Sequence, residues 1–288
     1  MDKHELYFWD LTGYLLIRNV ITPDELAAAN EAIDYCLDKI PAGKPGQGAR
    51  GSKALAGSTG RLEMHGLLQL PKPYCEPFRK IIAHPAVVMR LNVMCGKGFR
   101  LDHGPLVLAG VKGTEGLTLH GSGEPHKPYV AYHHQNGVTY CGGVTVTWQL
   151  TDVNAGDGGF VCVPGSHKSQ YPMPDGVRTS DDDMGVVAQP AMKAGDVLFF
   201  MDGAQTHGTH PWRSESPRRS ILIKYAARDS VRGVPRRELF FPEVWWDEKI
   251  VDGMTEEQRV VLCGPGVHHG GIVKALTVDE DGTVRVET

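Results

Sequence analysis

The sequence lacks several features that would mark a specialised class of protein. No apolar run approaches the roughly 18 residues that a membrane-spanning helix needs, and we find no internal repeat or low-complexity tract. Basic residues are not in surplus, since the net charge is −4 at pH 7. This balance argues against a nucleic-acid-binding or membrane-surface protein, so the expected partner is a small molecule.

The six cysteines form no Cys-x-x-Cys pair. The N-terminal segment MDKHELYFWD lacks the basic-then-apolar order of a secretory signal peptide. We therefore expect reduced, mostly buried thiols and a cytoplasmic location.

Helical patterns come first along the chain and strand patterns follow. The segment TPDE, which begins at Thr22, has a capping residue, a proline and two acids in the order typical of a helix start. From residue 99 the pattern changes to short apolar segments separated by glycine and proline turns. Asn136-Gly137 is the strongest hairpin signal among them. This order predicts an α+β fold with a β-sandwich or barrel core.

We expect a single domain over residues 1–288. It divides into an N-terminal helical portion (1–98), a core of strands (99–230) and an irregular C-terminal extension (231–288). Residues 42–60 are rich in Gly, Lys and Ser, which is typical of a mobile surface loop that can close over a site.

Two of the 13 histidines stand out by their context. His120 ends the short strand LTLH, and His207 follows the apolar strand DVLFFMD. Two neutral imidazoles at the ends of neighbouring strands suit Fe(II). Arg218 and Arg219 begin a further strand, which would return past the metal. A guanidinium there could bind the far carboxylate of a 2-oxo diacid, although a solvated strand end explains the pair equally well.

Several segments resemble the phytanoyl-CoA dioxygenase family of Fe(II)/2-oxoglutarate oxygenases. GYLLIRNVITPDELAAAN resembles the family's first strand and helix, and VKGTEGLTLH resembles the turn that leads to its first metal histidine. VTWQLTDVNAGDGGFVCVPGSHK is the closest stretch, and KAGDVLFFMDGAQTHGTHPWRSESPRRSILIKYA resembles the segment with the second histidine and the arginine. Together these segments cover about residues 11–30 and 100–226.

The resemblance implies a double-stranded β-helix (jelly-roll) core flanked by N-terminal helices. It implies Fe(II), 2-oxoglutarate and O2 as cofactors, with His120 and His207 as iron ligands and Arg218 as the partner of the 2-oxoglutarate tail. Thr209 would help to hold that tail through its hydroxyl, and Trp148 would form a wall of the co-substrate pocket.

The chain departs from the family pattern at the first metal motif. The family normally has His-x-Asp, whereas this sequence has His120-Gly121-Ser122. Ser122 is a poor ligand for Fe(II), because a neutral hydroxyl brings no charge and hard divalent metals favour carboxylate oxygen. The third ligand must therefore come from elsewhere or be absent.

Three interpretations remain open. In the first, the motif is His134-Gln135-Asn136, although Asn136 fits a hairpin turn better. In the second, Asp202 supplies the carboxylate, although regular strand alternation would place it on the face opposite to His207. In the third, the carboxylate is lost and chloride fills the open position, with Gly121 and Ser122 leaving room for it. This resembles the radical halogenases of the superfamily, in which Gly or Ala replaces the Asp.

The third interpretation predicts radical chlorination of an unactivated C–H bond in a small soluble metabolite. The alternatives are an Fe(II)/2-oxoglutarate hydroxylase with a non-standard third ligand and a non-catalytic jelly-roll binding protein. Basic residues such as Arg61 could bind a phosphorylated or nucleotide substrate, although a solvated basic face explains them more readily. His133 and His134 follow His120 closely in the sequence, so we expect them near the mouth of the pocket and in reach of substrate.

Overall fold

A computed structural model describes residues 1–121, 127–231, 240–265 and 273–287 of the chain. The helices are α1 (Lys3–Thr12), α2 (Pro23–Cys36), α3 (Glu76–Ile81), α4 (Pro85–Met94), α5 (Asp175–Thr179), α6 (Pro242–Trp245), α7 (Glu248–Val251) and α8 (Glu256–Val261). The strands are β1 (Tyr14–Ile17), β2 (Leu62–Met64), β3 (Arg100–Gly110), β4 (Leu117–His120), β5 (Tyr132–Gln135), β6 (Val138–Cys141), β7 (Gly143–Gln149), β8 (Gly159–Cys162), β9 (Val197–Met201), β10 (His207–His210), β11 (Arg218–Ala226), β12 (Ala275–Val278) and β13 (Val284–Glu287).

Six of these strands form one antiparallel sheet in the order β1-β9-β7-β11-β3-β2. The expected mixture of helices and antiparallel strands is therefore present. The strands of the central pair, β7 and β11, are paired residue by residue from Ser220↔Gln149 to Ala226↔Gly143. In this register the even-numbered residues of β11 share one face of the sheet with the odd-numbered residues of β7.

A second antiparallel sheet has three strands in the order β4-β10-β8. Its inner side packs against the large sheet through an apolar cluster to which both sheets contribute, including Phe160 of β8 and Leu198 and Phe200 of β9. The rings of Phe160 and Phe200 are 4.7 Å apart. The space between the sheets is therefore the interior of the strand-rich core.

Helices cover the other face of the large sheet. Their apolar residues, with those of the outward strand positions, form the main hydrophobic core. Helix α2 starts as the sequence predicts, because Thr22 and Glu25 form a reciprocal capping box. The N-terminal portion also supplies β1 and β2, the two edge strands of the large sheet.

The C-terminal portion has more regular structure than the sequence suggested. It contains α6, α7, α8 and the β12–β13 hairpin. The side-chain amide of Asn92 in α4 donates to the carbonyl of Leu276 in this hairpin, at 2.7 Å, so the extension packs on the N-terminal helices. No helix in the described ranges has both the length and the apolar character needed to cross a membrane.

All six cysteines have free thiols, and five of them are buried. The expectation of mostly buried cysteine side chains is therefore confirmed.

Candidate metal and co-substrate site

His120 and His207 are brought together by strand pairing. They are register partners in the antiparallel pair β4–β10, and their ring centroids are 4.3 Å apart. His207 is buried and also packs against Phe200, with 4.7 Å between ring centroids. The two histidines that the sequence singled out therefore form one pair on the small sheet, with His207 buried and His120 exposed beside it.

Hydrogen bonds fix the tautomer of both rings. His120 Nδ1 lies 3.1 Å from the carbonyl of Thr118, and His207 Nδ1 lies 2.9 Å from the carbonyl of Gln205. A carbonyl only accepts, so each Nδ1 carries the proton and each Nε2 keeps its lone pair for a metal.

The electrostatics of the pair favour neutral rings. Burial, with the nearby His120, lowers the pKa of His207 to about 3. Desolvation by the surrounding protein also lowers the pKa of His120. Both imidazoles are therefore neutral at pH 7, which is the state that binds a metal.

Gly121 allows the close approach of β4 to the turn before β10. Its φ is +105°, a conformation that glycine adopts far more readily than other residues. A Cβ at this position would overlap the carbonyl oxygen of Gln205. That carbonyl is the one that orients His207, so Gly121 is necessary for the geometry of the pair.

Arg218 faces the same interior from the large sheet. It is buried, with 7% of its surface exposed, and within the described ranges its guanidinium has no ion pair or hydrogen bond. Burial, followed by the charge of Arg61, lowers its pKa to about 10, so it remains charged at neutral pH. An unpaired buried guanidinium is costly unless an anion binds to it.

Other inward residues surround Arg218. Thr209 follows His207 by two positions on β10 and lines the same small cavity as Arg218. Ser220, two positions after Arg218, donates to the side-chain oxygen of Gln149 at 2.9 Å. The amide nitrogen of Gln149 has no partner within the described part of the chain. These hydroxyl and amide groups suit a ligand rich in oxygen.

Arg61 reaches this cavity from the loop before β2. It lines the cavity with Arg218 and Thr209 and forms an ion pair with Glu63 at 2.6 Å. The loop is anchored rather than loose, because the buried carboxylate of Glu115 accepts from the backbone amides of Gly46 and Gly48. The expectation of a mobile loop over residues 42–60 is not supported by these contacts.

Asp202 lies on the inner side of the core, contrary to the alternation argument. It follows β9, and residues 203–206 turn the chain before His207 begins the next strand, so alternation does not carry across. Burial lowers the pKa of both His120 and His207, and the negative charge of Asp202 only partly opposes this effect. The Asp202 carboxylate also forms an ion pair with Lys224 at 3.0 Å. Within the described residues no three groups lie together as a metal-binding set.

Trp148 does not line the co-substrate pocket, so this expectation is wrong. It pairs with Ile221 on the outward face of the large sheet and contacts His84 edge to face at 5.3 Å between ring centroids. Strand alternation is the reason, because it turns Thr147 and Gln149 inward instead.

His133 and His134 belong to a different sheet from the His120–His207 pair. They belong to the β5–β6 hairpin and line a surface depression with Tyr7 and His167. Asn136 is in the hairpin turn with a φ of +55° and is exposed, so it takes the role of a turn residue rather than of a ligand. Ser122 lies outside the described residues.

Ser220, Gln149 and Lys224 were missed by sequence reasoning. The sequence does contain a signal for Ser220 and Lys224, since strand alternation from Arg218 places both on the same face as Arg218. Gln149 could not be placed without the register of β7 against β11.

Comparisons with known proteins show the family and the fold. The sequence pattern of the Phytanoyl-CoA dioxygenase (PhyH) family matches residues 9–220. The search of curated protein sequences gives no match.

Several solved structures share the fold. HygX from Streptomyces hygroscopicus, solved with nickel, 2-oxoglutarate and hygromycin B, is 21% identical, with 79% of this chain and 88% of that chain covered and a TM-score of 0.62. SnoK, a non-haem alpha-ketoglutarate-dependent carbocyclase from nogalamycin biosynthesis, is 20% identical, with coverage of 83% and 90% and a TM-score of 0.58. EctD from S. alaskensis, solved with 2-oxoglutarate and 5-hydroxyectoine, is 16% identical, with coverage of 80% and 77% and a TM-score of 0.56.

Proposed function

We propose that this chain, which belongs to the phytanoyl-CoA dioxygenase family, is a non-haem iron(II) enzyme that uses 2-oxoglutarate and O2 to functionalise an unactivated C–H bond. The observation that carries the proposal is the histidine pair with free Nε2 atoms opposite an unpaired, buried Arg218. The solved relatives support it, since nickel and 2-oxoglutarate are bound in HygX and iron in another structure of that protein. A jelly-roll core is the corresponding fold proposal.

The residues fit such a cofactor set in chemical terms. His120 and His207 would hold the metal through two neutral imidazole nitrogens, which Fe(II) accepts well. Arg218 would bind the far carboxylate of 2-oxoglutarate, and the hydroxyl of Thr209 would assist. When bound, iron with 2-oxoglutarate and O2 supplies the oxidising power that removes a hydrogen atom from the substrate.

At the finer level, we propose halogenation rather than hydroxylation. The first metal motif carries Gly121-Ser122 where the family has a carboxylate, and the ammonium of Lys224 already engages Asp202. The open position would accept chloride as an anionic ligand. Overall, the substrate C–H bond, chloride, 2-oxoglutarate, O2 and one proton would give a C–Cl bond, succinate, CO2 and water.

The test is an incubation of the protein with Fe(II), 2-oxoglutarate, O2 and a panel of candidate metabolites, with and without chloride. We expect succinate formation and a chloride-dependent product with the chlorine isotope pattern in its mass spectrum. A product that gains oxygen regardless of chloride would establish hydroxylation and reject the finer proposal. No succinate under any condition would favour a binding protein without catalysis.

The variant Ser122→Asp tests the role of the missing carboxylate. It restores the family's third ligand, so the product should shift from chlorinated to hydroxylated. An unchanged product ratio would show that position 122 does not face the metal. Ser58→Asp, on a surface loop, is the matched control and should leave the ratio unchanged.

A further inference from the structure

Lys224 and Arg218 both face the space between the two sheets, at positions far apart along β11. Both residues are on the inner face of β11, and the pairing with β7 is regular from Ser220 to Ala226. At about 3.3 Å per residue, the two backbone positions are about 20 Å apart. A five-carbon diacid bound at Arg218 is much shorter than this span, so Lys224 is available to a different molecule.

The ion pair of Lys224 with Asp202 lies beside the histidines. Asp202 follows Phe200 by two residues, and its backbone amide continues the ladder by donating to the carbonyl of Gly143 at 3.1 Å. Phe200 packs directly on His207, with 4.7 Å between ring centroids. One inward step along a strand is about 6.6 Å, which places the Asp202 carboxylate close to the metal-binding pair.

The ammonium is the accessible half of this ion pair. The side chain of Lys224 is 28% exposed and that of Asp202 is 8% exposed. An ammonium has three N–H donors, and Asp202 is the partner that the structure records for it among the described residues. Donors therefore remain for a ligand in the pocket. Stability alone does not explain the pair, because desolvation offsets most of the attraction in a buried ion pair.

On the basis of the proposed function, we propose that Lys224 binds an oxyanion of the substrate, a carboxylate or a phosphate group. The second cation near the pocket, Arg61, is held by Glu63 at 2.6 Å and lines the cavity of Arg218, so it belongs to the co-substrate end. Lys224 is then the residue that would orient the reacting C–H bond, because it fixes the charged end of the substrate beside the metal.

The experiment uses the full chain saturated with Ni(II) and 2-oxoglutarate, titrated calorimetrically with acetate and separately with inorganic phosphate. We expect at least one of the two probes to bind. The probe with the higher affinity identifies whether Lys224 binds a carboxylate or a phosphate group. The variant Lys224→Met should weaken that probe about tenfold or more, since a hydrogen bond to a charged group is lost. Lys224→Arg should stay within a few-fold of the parent.

Lys193→Met is the matched control. Lys193 also pairs with an aspartate, Asp152 at 2.9 Å, but on an exposed surface. Its variant should bind both probes as the parent does. If Lys224→Met folds poorly because a buried carboxylate has lost this ion pair, the double variant Lys224→Met/Asp202→Leu removes both charges and should show the same loss.

Two results would overturn the inference. One is that neither probe binds the parent protein, and the other is that folded Lys224→Met, or the folded double variant, binds the probe as well as the parent. Failure of the proposed function gives a different result, because Ni(II) or 2-oxoglutarate would then fail to bind the parent at all.

Discussion

Arg218 and Arg219 are neighbours in the sequence and lie in opposite environments. Arg218 points into the core between the sheets with no partner among the described residues, whereas Arg219 points outward and bonds to Asp34 at 2.6 Å and to Asn30 at 3.2 Å, both in α2. The sequence alone could not decide between an anion-binding arginine and a solvated pair. Strand alternation explains the difference, because it turns the Arg219 side chain outward onto helix α2 and leaves the Arg218 side chain inward for a ligand.

This difference gives a test with a matched control. Arg218→Met should weaken 2-oxoglutarate binding to the Ni(II)-loaded protein by about a hundredfold, since two hydrogen bonds to a carboxylate are lost. Arg219→Met should leave that affinity unchanged and lower only stability. Calorimetric titration with 2-oxoglutarate measures the affinity of each variant. Equal effects of the two substitutions on this affinity would contradict the assignment.

Gly121 gives a second prediction at the scale of one residue. Gly121→Ala should lower the affinity for Ni(II) and the midpoint temperature of unfolding, because the added Cβ would displace the carbonyl that orients His207. Gly282→Ala is the control, since Gly282 also has a positive φ of +83° but has open space around its Cβ position. It should cost only about 1 kcal/mol of backbone strain and leave metal binding intact.

At the scale of the element, sequence patterns predicted the pieces that depend on local rules. The capping box of α2 and the Asn136-Gly137 hairpin follow from residues next to each other in the chain, and both are present. Trp148 was misplaced because its face depends on the register of β7 against β9 and β11, which local sequence does not determine. The anchoring of the 42–60 loop depends on Glu115, a residue distant in sequence.

The N-terminus of α2 predicts a dependence of stability on pH. Burial alone would raise the pKa of Glu25, but the ion pair with Lys80 at 2.7 Å and the hydrogen bonds from Thr22 outweigh it and lower the pKa to about 2. A carboxyl whose pKa is lowered by folding stabilises the fold at pH values above its pKa in the unfolded chain, which is near 4.5. This contribution to stability is lost as the pH falls toward 2.

Glu25→Gln keeps the capping hydrogen bond and removes the charge. At pH 7 it should lower the free energy of unfolding by about 0.5–1 kcal/mol, and the difference from the parent should shrink as the pH falls from 4.5 toward 2. Denaturant unfolding at several pH values measures this. Glu31→Gln, at an exposed position of the same helix, should show no such dependence, and a difference that grows at low pH would refute the account.

At the scale of the whole molecule, the site requires both sheets. The small sheet supplies His120 and His207, the large sheet supplies Arg218, and the apolar cluster that includes Phe160 and Phe200 holds the sheets together. The metal would thus be held by the small sheet, and 2-oxoglutarate would contact both sheets, through Arg218 of the large sheet and Thr209 of the small one. The sequence located these three residues through the order of its segments, but their convergence depends on how the two sheets pack.

In the proposed function, His120 and His207 bind the metal together, and metal titration of matched variants tests this most directly. Calorimetric titration with Ni(II) should show one tight site in the parent and in His134→Ala, whose histidine lies on the separate β5–β6 hairpin. His120→Ala and His207→Ala should each lower the affinity at least a hundredfold while remaining folded by circular dichroism. Parent-like Ni(II) binding in either of these two variants would contradict the central claim.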